Sequence, residues 1–436
     1  MKRFFTTIKN IFAIEDLRVK IFNTIGFLII FRLGSYIVLP GIDPNLLSGN
    51  QGGIFDLLNT FLGGSFSRAS IFALGIMPYI SASIVVQLLT VAVPHFTKLQ
   101  KEGDSGRKKL NQFTRVLTIL ITSAQSYGYI RATVNAEAIL NPGIFFTVSS
   151  IVILVAGTMF CMWLGERITD KGIGNGISML IMIGIVSRFP AAIWMEIDSK
   201  GMNGMLLFII EVLALFFVVV GVIALTQATR RIPVQYAKQV VGNKLYGGKR
   251  DFIPLKLNSA GVMPIIFAQA LMFIPPLVAQ IWRDSDVGAY VGSTFADFTS
   301  WQYNLLFGIL ILIFTFFYTA ITVPSNDIAD NLKRNGGFVP GIKPGKQTAE
   351  FIDSILSKIT LPGAIFLAAV AILPAFAVRV GITQNFAQFF GGTSLLILVG
   401  VVLDTLQQIE SYLLMRHYEG MMKSGRVKGR SQFAAA

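Results

Sequence analysis

Residues 53–91 read GIFDLLNTFLGGSFSRASIFALGIMPYISASIVVQLLTV, and they decide how the rest of the chain is interpreted. The second part, residues 71–91, is apolar and long enough to cross a bilayer, which takes about 20 residues. The first part, residues 54–62, is apolar but too short to cross, and glycines and serines interrupt it. Pro78 lies inside the long run and removes a backbone donor. The stretch predicts either a half-helix hinged to a full span or a re-entrant decoration beside an ordinary kinked span.

The composition is that of a helical membrane protein. Of 436 residues, 53% are hydrophobic and 14% are charged, and runs of about 20 apolar residues recur along the chain. The single cysteine, Cys161, excludes an internal disulfide. No cluster of histidine, cysteine and carboxylate residues has the spacing of metal ligands. We therefore expect an all-α, multispanning membrane protein with no metal site and no cofactor.

Ten membrane spans are predicted from the apolar runs. They are residues 21–39, 71–92, 114–131, 147–165, 173–190, 205–226, 261–281, 303–324, 356–378 and 393–415. Lysines and arginines concentrate in the loops on one side, and the formal net charge is +14. By the positive-inside rule this side is the cytoplasm, and both termini lie on it. Residues 1–20 form a basic amphipathic segment, and residues 416–436 form a basic tail.

Two loops on the basic side, residues 227–260 and 325–355, are unusually long. Both mix basic residues with glycine and proline. Positive charge in these loops can serve membrane topology alone, with no partner. Short loops would serve that purpose, however, so the length and the turn chemistry favour a docking surface.

A short internal repeat indicates two related halves. The sequence GIMPYI at residues 75–80 recurs as GVMPII at residues 261–266. The copies lie in predicted spans two and seven, and a shift of five spans reverses the direction in which the chain crosses the membrane. We therefore expect two inverted five-span halves, residues 21–200 and 201–415, with the functional path between them.

The predicted spans contain few groups that could carry chemistry. A secondary transporter built on an inverted repeat usually has ionisable groups near the membrane midplane, and the candidates here are Glu211, Asp404 and Glu410. The sequence contains no catalytic constellation and no Gly-Lys-Ser/Thr phosphate-binding loop, so we expect no enzyme activity. The leading hypothesis is a passive pore with an apolar constriction, gated by moving helices. The alternative is a solute or ion secondary transporter.

Several long motifs are more specific than composition: GIMPYISAS (75–83), SRASIFALG (67–75), KEGDSGRKK (101–109), TMFCMWLGERITDKGIGNGIS (158–178), FVPGIKPGKQTA (338–349) and FGGTSLLI (390–397). Together these motifs resemble the SecY family, the central channel subunits of bacterial protein translocases. The resemblance covers nearly the whole chain. It implies a protein-conducting channel in the bacterial cytoplasmic (inner) membrane, with ten transmembrane helices in two inverted halves around a central pore.

The resemblance also implies three sets of residues along the pore. A constriction ring would consist of Ile76, Ile80, Ile177, Ile181, Ile266 and Ile397. A plug that seals the resting pore would consist of Ile54, Phe55, Asp56, Leu57, Leu58, Asn59, Thr60, Phe61 and Leu62. Spans two and seven would form a lateral gate to lipid, with the polar residues Ser81, Ser83, Gln87 and Gln269.

Partners are implied in the same way. The two long loops match the family's docking site for the motor ATPase SecA and the ribosome, through Arg230, Arg231, Lys238, Lys249, Arg250, Lys333, Arg334 and Lys343. The small membrane subunits SecE and SecG, signal sequences, nascent chains and membrane lipid are the other implied partners. Lys343 departs from the arginine that is usual in this motif, and lysine lacks arginine's planar bidentate fork.

Overall fold

The structure of the chain is a computed structural model, and helices dominate it. It describes residues 12, 14–47, 59, 62–134, 136–201, 204–236, 238–241, 244–247, 250–272, 286, 290–291, 294–295 and 297–423. The chain divides into two compact units. The first unit is Met1–Arg188 with Gly400–Ala436, and the second is Phe189–Val399.

Part of every predicted span lies in a helix. The helices are α1 (Glu15–Gly34), α2 (Met77–Ala92), α3 (Pro94–Lys101), α4 (Asp104–Thr133), α5 (Ile144–Lys171), α6 (Gly176–Lys200), α7 (Met205–Gln227), α8 (Met263–Leu271), α9 (Trp301–Thr322), α10 (Ser325–Arg334), α11 (Lys346–Arg379), α12 (Gln384–Ala387) and α13 (Gly392–Lys423). Short 3-10 turns lie at Pro44–Leu46 and Ala136–Ala138. The strands are β1 (Thr229–Tyr236), β2 (Lys238–Val241), β3 (Lys244–Gly247), β4 (Arg250–Lys256) and β5 (Gly337–Phe338).

In the part of the chain that the structure describes, six helices are long and apolar enough to cross a membrane. They are α5, α6, α7, the stretch Trp301–Arg334 that contains α9 and α10, α11, and α13 over Gly392–Met415. The α2–α3 pair is a seventh candidate only as a broken span, because the two helices are bent by 99°. α1 is long enough to cross, but it contains the charged residues Glu15, Asp16, Arg18, Lys20 and Arg32.

The apolar run after residue 70 is helical only from Met77, which corrects the predicted start of the span at residue 71. Residues 62–76 form turns and bends instead. Gly75 has a φ of +51°, which favours glycine and ends the irregular segment. Pro78 lies in the first turn of α2, where its missing N–H leaves no helical hydrogen bond unmade. Pro78 therefore starts the helix and does not kink it.

The irregular segment is buried in the core of the first unit. Phe72 stacks between Phe31 of α1 and Phe160 of α5, with ring centroids 5.9 and 5.8 Å apart. A Cβ on Gly157 of α5 would lie 2.2 Å from the Ile71 carbonyl oxygen, so α5 passes directly against the backbone of the segment. The core around the segment also includes Leu39, Leu62, Phe66, Leu74, Tyr129, Phe146 and Leu154.

The two long loops fold together into a small sheet, which departs from the expectation of an all-α chain. Within the second unit β1 pairs antiparallel with both β4 and β5, in the order β4-β1-β5. Ile232 and Val234 of β1 are buried together with Leu255, Leu332, Val339, Ile352 and Leu356. The alternation of buried and exposed residues in TRRIPVQY is the period of a strand that is covered on one face.

A buried ionic cluster closes the turn between α6 and α7 in the second unit. The Lys200 Nζ atom contacts Glu211 and lies 3.3 Å from Oε1 of Glu196, one helical turn earlier. The Glu196 Oε2 atom also accepts hydrogen bonds from the hydroxyl and the backbone N–H of Thr383, the latter at 2.9 Å. Because both glutamates are buried, their charges depend on Lys200 for compensation.

We expect Lys200→Met to lower the stability of the chain strongly. The change leaves two buried carboxylates without their cation, and breaking a buried ion pair in this way costs about 3–5 kcal/mol. The thermal unfolding midpoint of the purified protein in detergent measures the effect. Lys346→Met is the matched control, since Lys346 also faces a glutamate four residues away but its side chain is 90% exposed. Equal midpoints for the two variants would contradict the prediction.

Candidate functional site

The predicted plug lies mostly outside the described residues. Ile54, Phe55, Asp56, Leu57, Leu58, Thr60 and Phe61 all belong to that part of the chain. The structure describes the other two members, Asn59 and Leu62, and both are buried. A Cβ on Gly75 would lie 2.4 Å from Cδ2 of Leu62. The glycine that precedes α2 therefore touches the last residue of the predicted plug.

Hydrogen bonds hold the segment between Asn59 and α2 in place. The Asn59 carbonyl oxygen accepts the N–H of Gly64 at 2.9 Å, and its side-chain oxygen accepts the N–H of Ser67 at 3.1 Å. The Tyr129 hydroxyl of α4 donates to the Phe66 carbonyl oxygen at 2.6 Å. The end of the predicted plug is thus tied to the first unit through several backbone groups.

Two arginines converge on one carbonyl oxygen in this segment. Arg32 Nη1 lies 3.4 Å and Arg68 Nη2 lies 3.0 Å from the oxygen of Gly63. Both guanidinium groups also lie near the Tyr36 ring, with Cζ 5.4 Å from the ring centroid for Arg32 and 4.4 Å for Arg68. Burial lowers the pKa of the Arg68 guanidinium, and Tyr36 opposes that effect. Neither arginine was among the predicted site residues.

The two copies of the internal repeat build the same helix start. Gly75 and Gly261 both have positive φ, +51° and +62°. In each copy Met-Pro then opens a helix, α2 in the first unit and α8 in the second. Ile80 and Ile266, two residues after the proline, occupy equivalent positions; Ile80 is buried and Ile266 is half-buried. Ile76, directly before α2, is also buried.

The first turns of α6 carry Ile177 and Ile181, two further members of the predicted ring. Ile181 is buried and Ile177 is half-buried. A Cβ on Gly176 would lie 1.9 Å from the carbonyl oxygen of Gly165 in α5. The start of α6 is therefore set by direct contact with the backbone of α5, which only glycine permits.

Two side chains that sequence reasoning missed hold the connection from α5 to α6. The Thr24 hydroxyl oxygen accepts the N–H of Ile173 at 3.0 Å, and Oε1 of Gln408 accepts the N–H of Gly174 at 2.8 Å. Thr24 belongs to α1 and Gln408 to α13, far from the connection in sequence. Neither residue has a local signal that could have identified it.

Gln269, the predicted gate residue in the second unit, meets α13. The Thr393 hydroxyl donates to Oε1 of Gln269 at 3.0 Å, and both residues are buried. Ile266 precedes Gln269 by three residues and Ile397 follows Thr393 by four, so each isoleucine shares a helix face with one of these polar residues. The hydrogen bond links Thr393 to a predicted gate residue, and the place of Thr393 in FGGTSLLI was the available signal.

The gate residues predicted in the first unit line α2. Ser81 and Ser83 are half-buried, and Gln87 is exposed. The Ser81 hydroxyl donates to the Met77 carbonyl oxygen at 3.2 Å, so it is satisfied within its own helix.

Six of the predicted docking cations lie on β1 and β4, in the last turn of α10 and on the turn before α11. Those with described side chains are all exposed: Arg230, Arg231, Arg250, Lys333, Arg334 and Lys343. Lys249 and the side chain of Lys238 lie outside the described part of the chain. Lys343 precedes α11, and its carbonyl oxygen accepts the hydroxyl of Thr348 at 2.9 Å. This hydrogen bond stabilises the turn that carries the exposed Lys343 side chain.

An exposed aromatic residue accompanies these cations and was missed. Phe252 of β4 is 54% exposed and pairs across the sheet with Pro233, while Arg231 pairs with Pro254. These four residues lie on the face opposite the buried Ile232, because neighbouring residues of a strand point to opposite faces. The solvent face of the sheet therefore combines apolar and cationic groups.

Comparisons with known proteins agree on one family. The SecY family profile matches residues 70–406. The protein translocase subunits SecY of Streptomyces coelicolor and Corynebacterium glutamicum are 42% and 41% identical to this chain, over 96% and 94% of its length and 100% and 98% of theirs.

The fold is similar to that of solved channels. One protein-conducting channel matches with a TM-score of 0.62 at 16% identity, over 90% of this chain and 92% of its own. Sec61 in a canine ribosome-channel complex matches with a TM-score of 0.57 at 16% identity, over 90% of this chain and 92% of its own. The chain therefore has the fold of helical protein-conducting channels. It belongs to the SecY family.

We expect Gly176→Ala to destabilise the start of α6. The added Cβ would lie 1.9 Å from the Gly165 carbonyl oxygen, and such overpacking costs about 1–3 kcal/mol. The thermal unfolding midpoint in detergent reports the change. Gly128→Ala in α4 is the control, because its Cβ would meet nothing within 4 Å, and it should leave the midpoint unchanged or raise it. A midpoint of Gly176→Ala equal to that of the parent would overturn this interpretation.

Proposed function

We propose that this chain is the channel through which unfolded secretory polypeptides cross the bacterial cytoplasmic membrane, and from which hydrophobic segments pass sideways into lipid. The observation that carries the proposal is the similarity to translocase subunits, 42% identity over 96% of the chain. The fold of a protein-conducting channel supports it independently of sequence identity. The channel performs no catalysis of its own.

The proposed architecture is ten spans in two inverted halves around a central pore, with both termini in the cytoplasm. A helix lies in each of the ten predicted spans, and the two copies of the repeat share one local structure. Inverted repeats of this kind form their functional path where the halves meet.

The proposed constriction is the isoleucine ring Ile76, Ile80, Ile177, Ile181, Ile266 and Ile397. Its members are buried or half-buried in their own units, as side chains that face the protein interior would be. An apolar ring holds back water and ions by dewetting, and it can deform around a passing chain because it makes no directional bonds. In the resting channel, the segment 54–62 would seal this ring as a plug.

The proposed lateral gate lies along α2 and α8, with Ser81, Ser83, Gln87 and Gln269 among its residues. When the gate opens to lipid, each segment of the translocating polypeptide would remain in the channel or enter the lipid according to its partition free energy alone. A leucine or isoleucine favours lipid by about 0.3–0.6 kcal/mol, and a mid-span charge disfavours it by about 2.5–3.5 kcal/mol. The buried Gln269–Thr393 hydrogen bond supports a polar contact at one wall of this gate.

Docking of SecA and the ribosome is proposed for the sheet and its turns, and SecE and SecG are the proposed small subunits. The exposed cations of this surface suit ribosomal RNA phosphates or acidic protein. Sec61, a relative in fold, has been solved in a ribosome-channel complex. A solute or ion transporter is less well supported, because Glu211, one of its few candidate acids, is already paired with Lys200.

We expect the isoleucine ring to touch a polypeptide in transit. A photo-reactive amino acid in place of Ile80, or separately Ile266, should cross-link to the mature part of a stalled secretory precursor. The same amino acid in place of Phe216, which is 62% exposed on the apolar helix α7, should cross-link to lipid only. If transport proceeds and neither ring residue cross-links, the ring assignment fails.

We expect Lys343→Glu to weaken the binding of SecA by about tenfold or more, because a hydrogen bond from a charged group is worth about 1.5–3 kcal/mol. Lys343→Arg should bind at least as tightly as the parent, because arginine restores the bidentate fork. Lys346→Glu, another exposed lysine three residues further on, is the control. Binding to proteoliposomes at several salt concentrations measures the effect, and equal affinities for the two glutamate variants would contradict it.

A further inference from the structure

Arg32 and Arg68 hold the backbone at the end of the predicted plug. Their guanidinium nitrogens lie 3.4 and 3.0 Å from the same Gly63 carbonyl oxygen, and both groups lie near the Tyr36 ring. We propose that this arginine clamp, Arg32 with Arg68, positions the end of the plug in the resting channel. The inference deepens the proposed function and rests on it.

The clamp acts on a compact piece of backbone. Gly63 follows Leu62 directly, and the Gly64 N–H donates to the Asn59 carbonyl oxygen at 2.9 Å, so a backbone hydrogen bond ties the clamped glycines to a residue of the predicted plug. Gly63 has a φ of +62°, and a Cβ on it would lie 2.5 Å from Arg32 Nη1. A glycine is therefore required for the guanidinium to reach the carbonyl.

The clamped backbone at Gly63 packs against α6. A Cβ on Gly63 would lie 3.0 Å from both Cα and the carbonyl oxygen of Gly184, so the two backbones are in contact. Gly184 follows Ile181, a member of the proposed ring, by three residues and shares its helix face. Holding Gly63 on α6 therefore fixes the end of the plug beside the ring residues that this helix carries.

The clamp is suited to release. The two positively charged guanidinium groups share one neutral acceptor, and their mutual repulsion weakens the hydrogen bond that each makes to it. Within the described residues, the ion pairs of the chain include neither arginine, and the Arg68 Nε atom is buried with no hydrogen-bond partner. A contact of this kind defines one resting position without the cost of breaking a buried ion pair when the segment leaves.

The test follows the exposure of Leu62 in the complete translocase. A Leu62→Cys chain in proteoliposomes is labelled with a water-soluble maleimide, in the parent background and with Arg68→Gln. We expect Arg68→Gln to speed labelling about tenfold, the factor that loss of a hydrogen bond from a charged donor carries, and to raise the ion leak of resting vesicles. Arg131→Gln, at an exposed arginine of α4 that lies over Tyr127, is the matched control and should change neither rate.

The native cysteine provides an internal control for folding. Cys161 is fully buried in α5, so it should remain unlabelled in every folded variant. Unchanged labelling at residue 62 with Cys161 protected overturns the clamp. If Cys161 also reacts, the variant Arg32→Gln decides, because it removes the other guanidinium donor to the Gly63 carbonyl oxygen and should also speed labelling. An unchanged rate with Cys161 protected would overturn the clamp.

Failure of the clamp and failure of the proposed function are distinguishable. The same parent vesicles are assayed for transport of a secretory precursor with SecA and ATP. If they transport the precursor and Arg68→Gln changes neither labelling nor leak, only the clamp is wrong. If no precursor is transported under any condition, the proposed function itself fails.

Discussion

Backbone groups that are buried outside helices and strands must find hydrogen-bond partners inside the protein, because water cannot reach them. Residues 62–76 meet this constraint with contacts from several elements. The Leu39 N–H donates to the Ala69 carbonyl oxygen at 2.8 Å, and the Ile71 N–H donates to the Ile37 carbonyl oxygen at 2.9 Å. The segment also restricts α5, which carries glycine at residue 157 because a side chain there would collide with the Ile71 carbonyl oxygen. The irregular segment therefore shapes the helices around it.

The same constraint explains the form of the repeat. A helix that begins inside the protein has four N–H groups without helical partners, and proline in the first turn removes one of them. Both copies of the repeat place Met-Pro at this position after a glycine with positive φ. The repeat is thus a way to start a helix inside the protein at a low free-energy cost. This physical requirement makes the six-residue match more informative than its length suggests.

The sequence predicted the positions of most helices, but it did not predict contacts between residues that are distant in the chain. Apolar runs are local, so a span such as 205–226 could be predicted and appears as Met205–Gln227. The start of α2 was wrong because the irregular backbone before it depends on tertiary contacts, such as that between Gly75 and Leu62. The sheet was missed because β1 and β5 are about a hundred residues apart and both loops contain turn residues.

The charged residues show most clearly that a sequence pattern does not predict which side chains will be partners. Glu211 drew attention in the sequence as an isolated acid, and the structure pairs it with Lys200 in a buried cluster that also holds Glu196. Opposite charges in such a cluster make the turn between α6 and α7 costly to open. The two arginines at Gly63 are the reverse case, because like charges share a single neutral acceptor. Strong charge compensation suits a turn that stays closed, and weak compensation suits the release that we propose for the end of the plug.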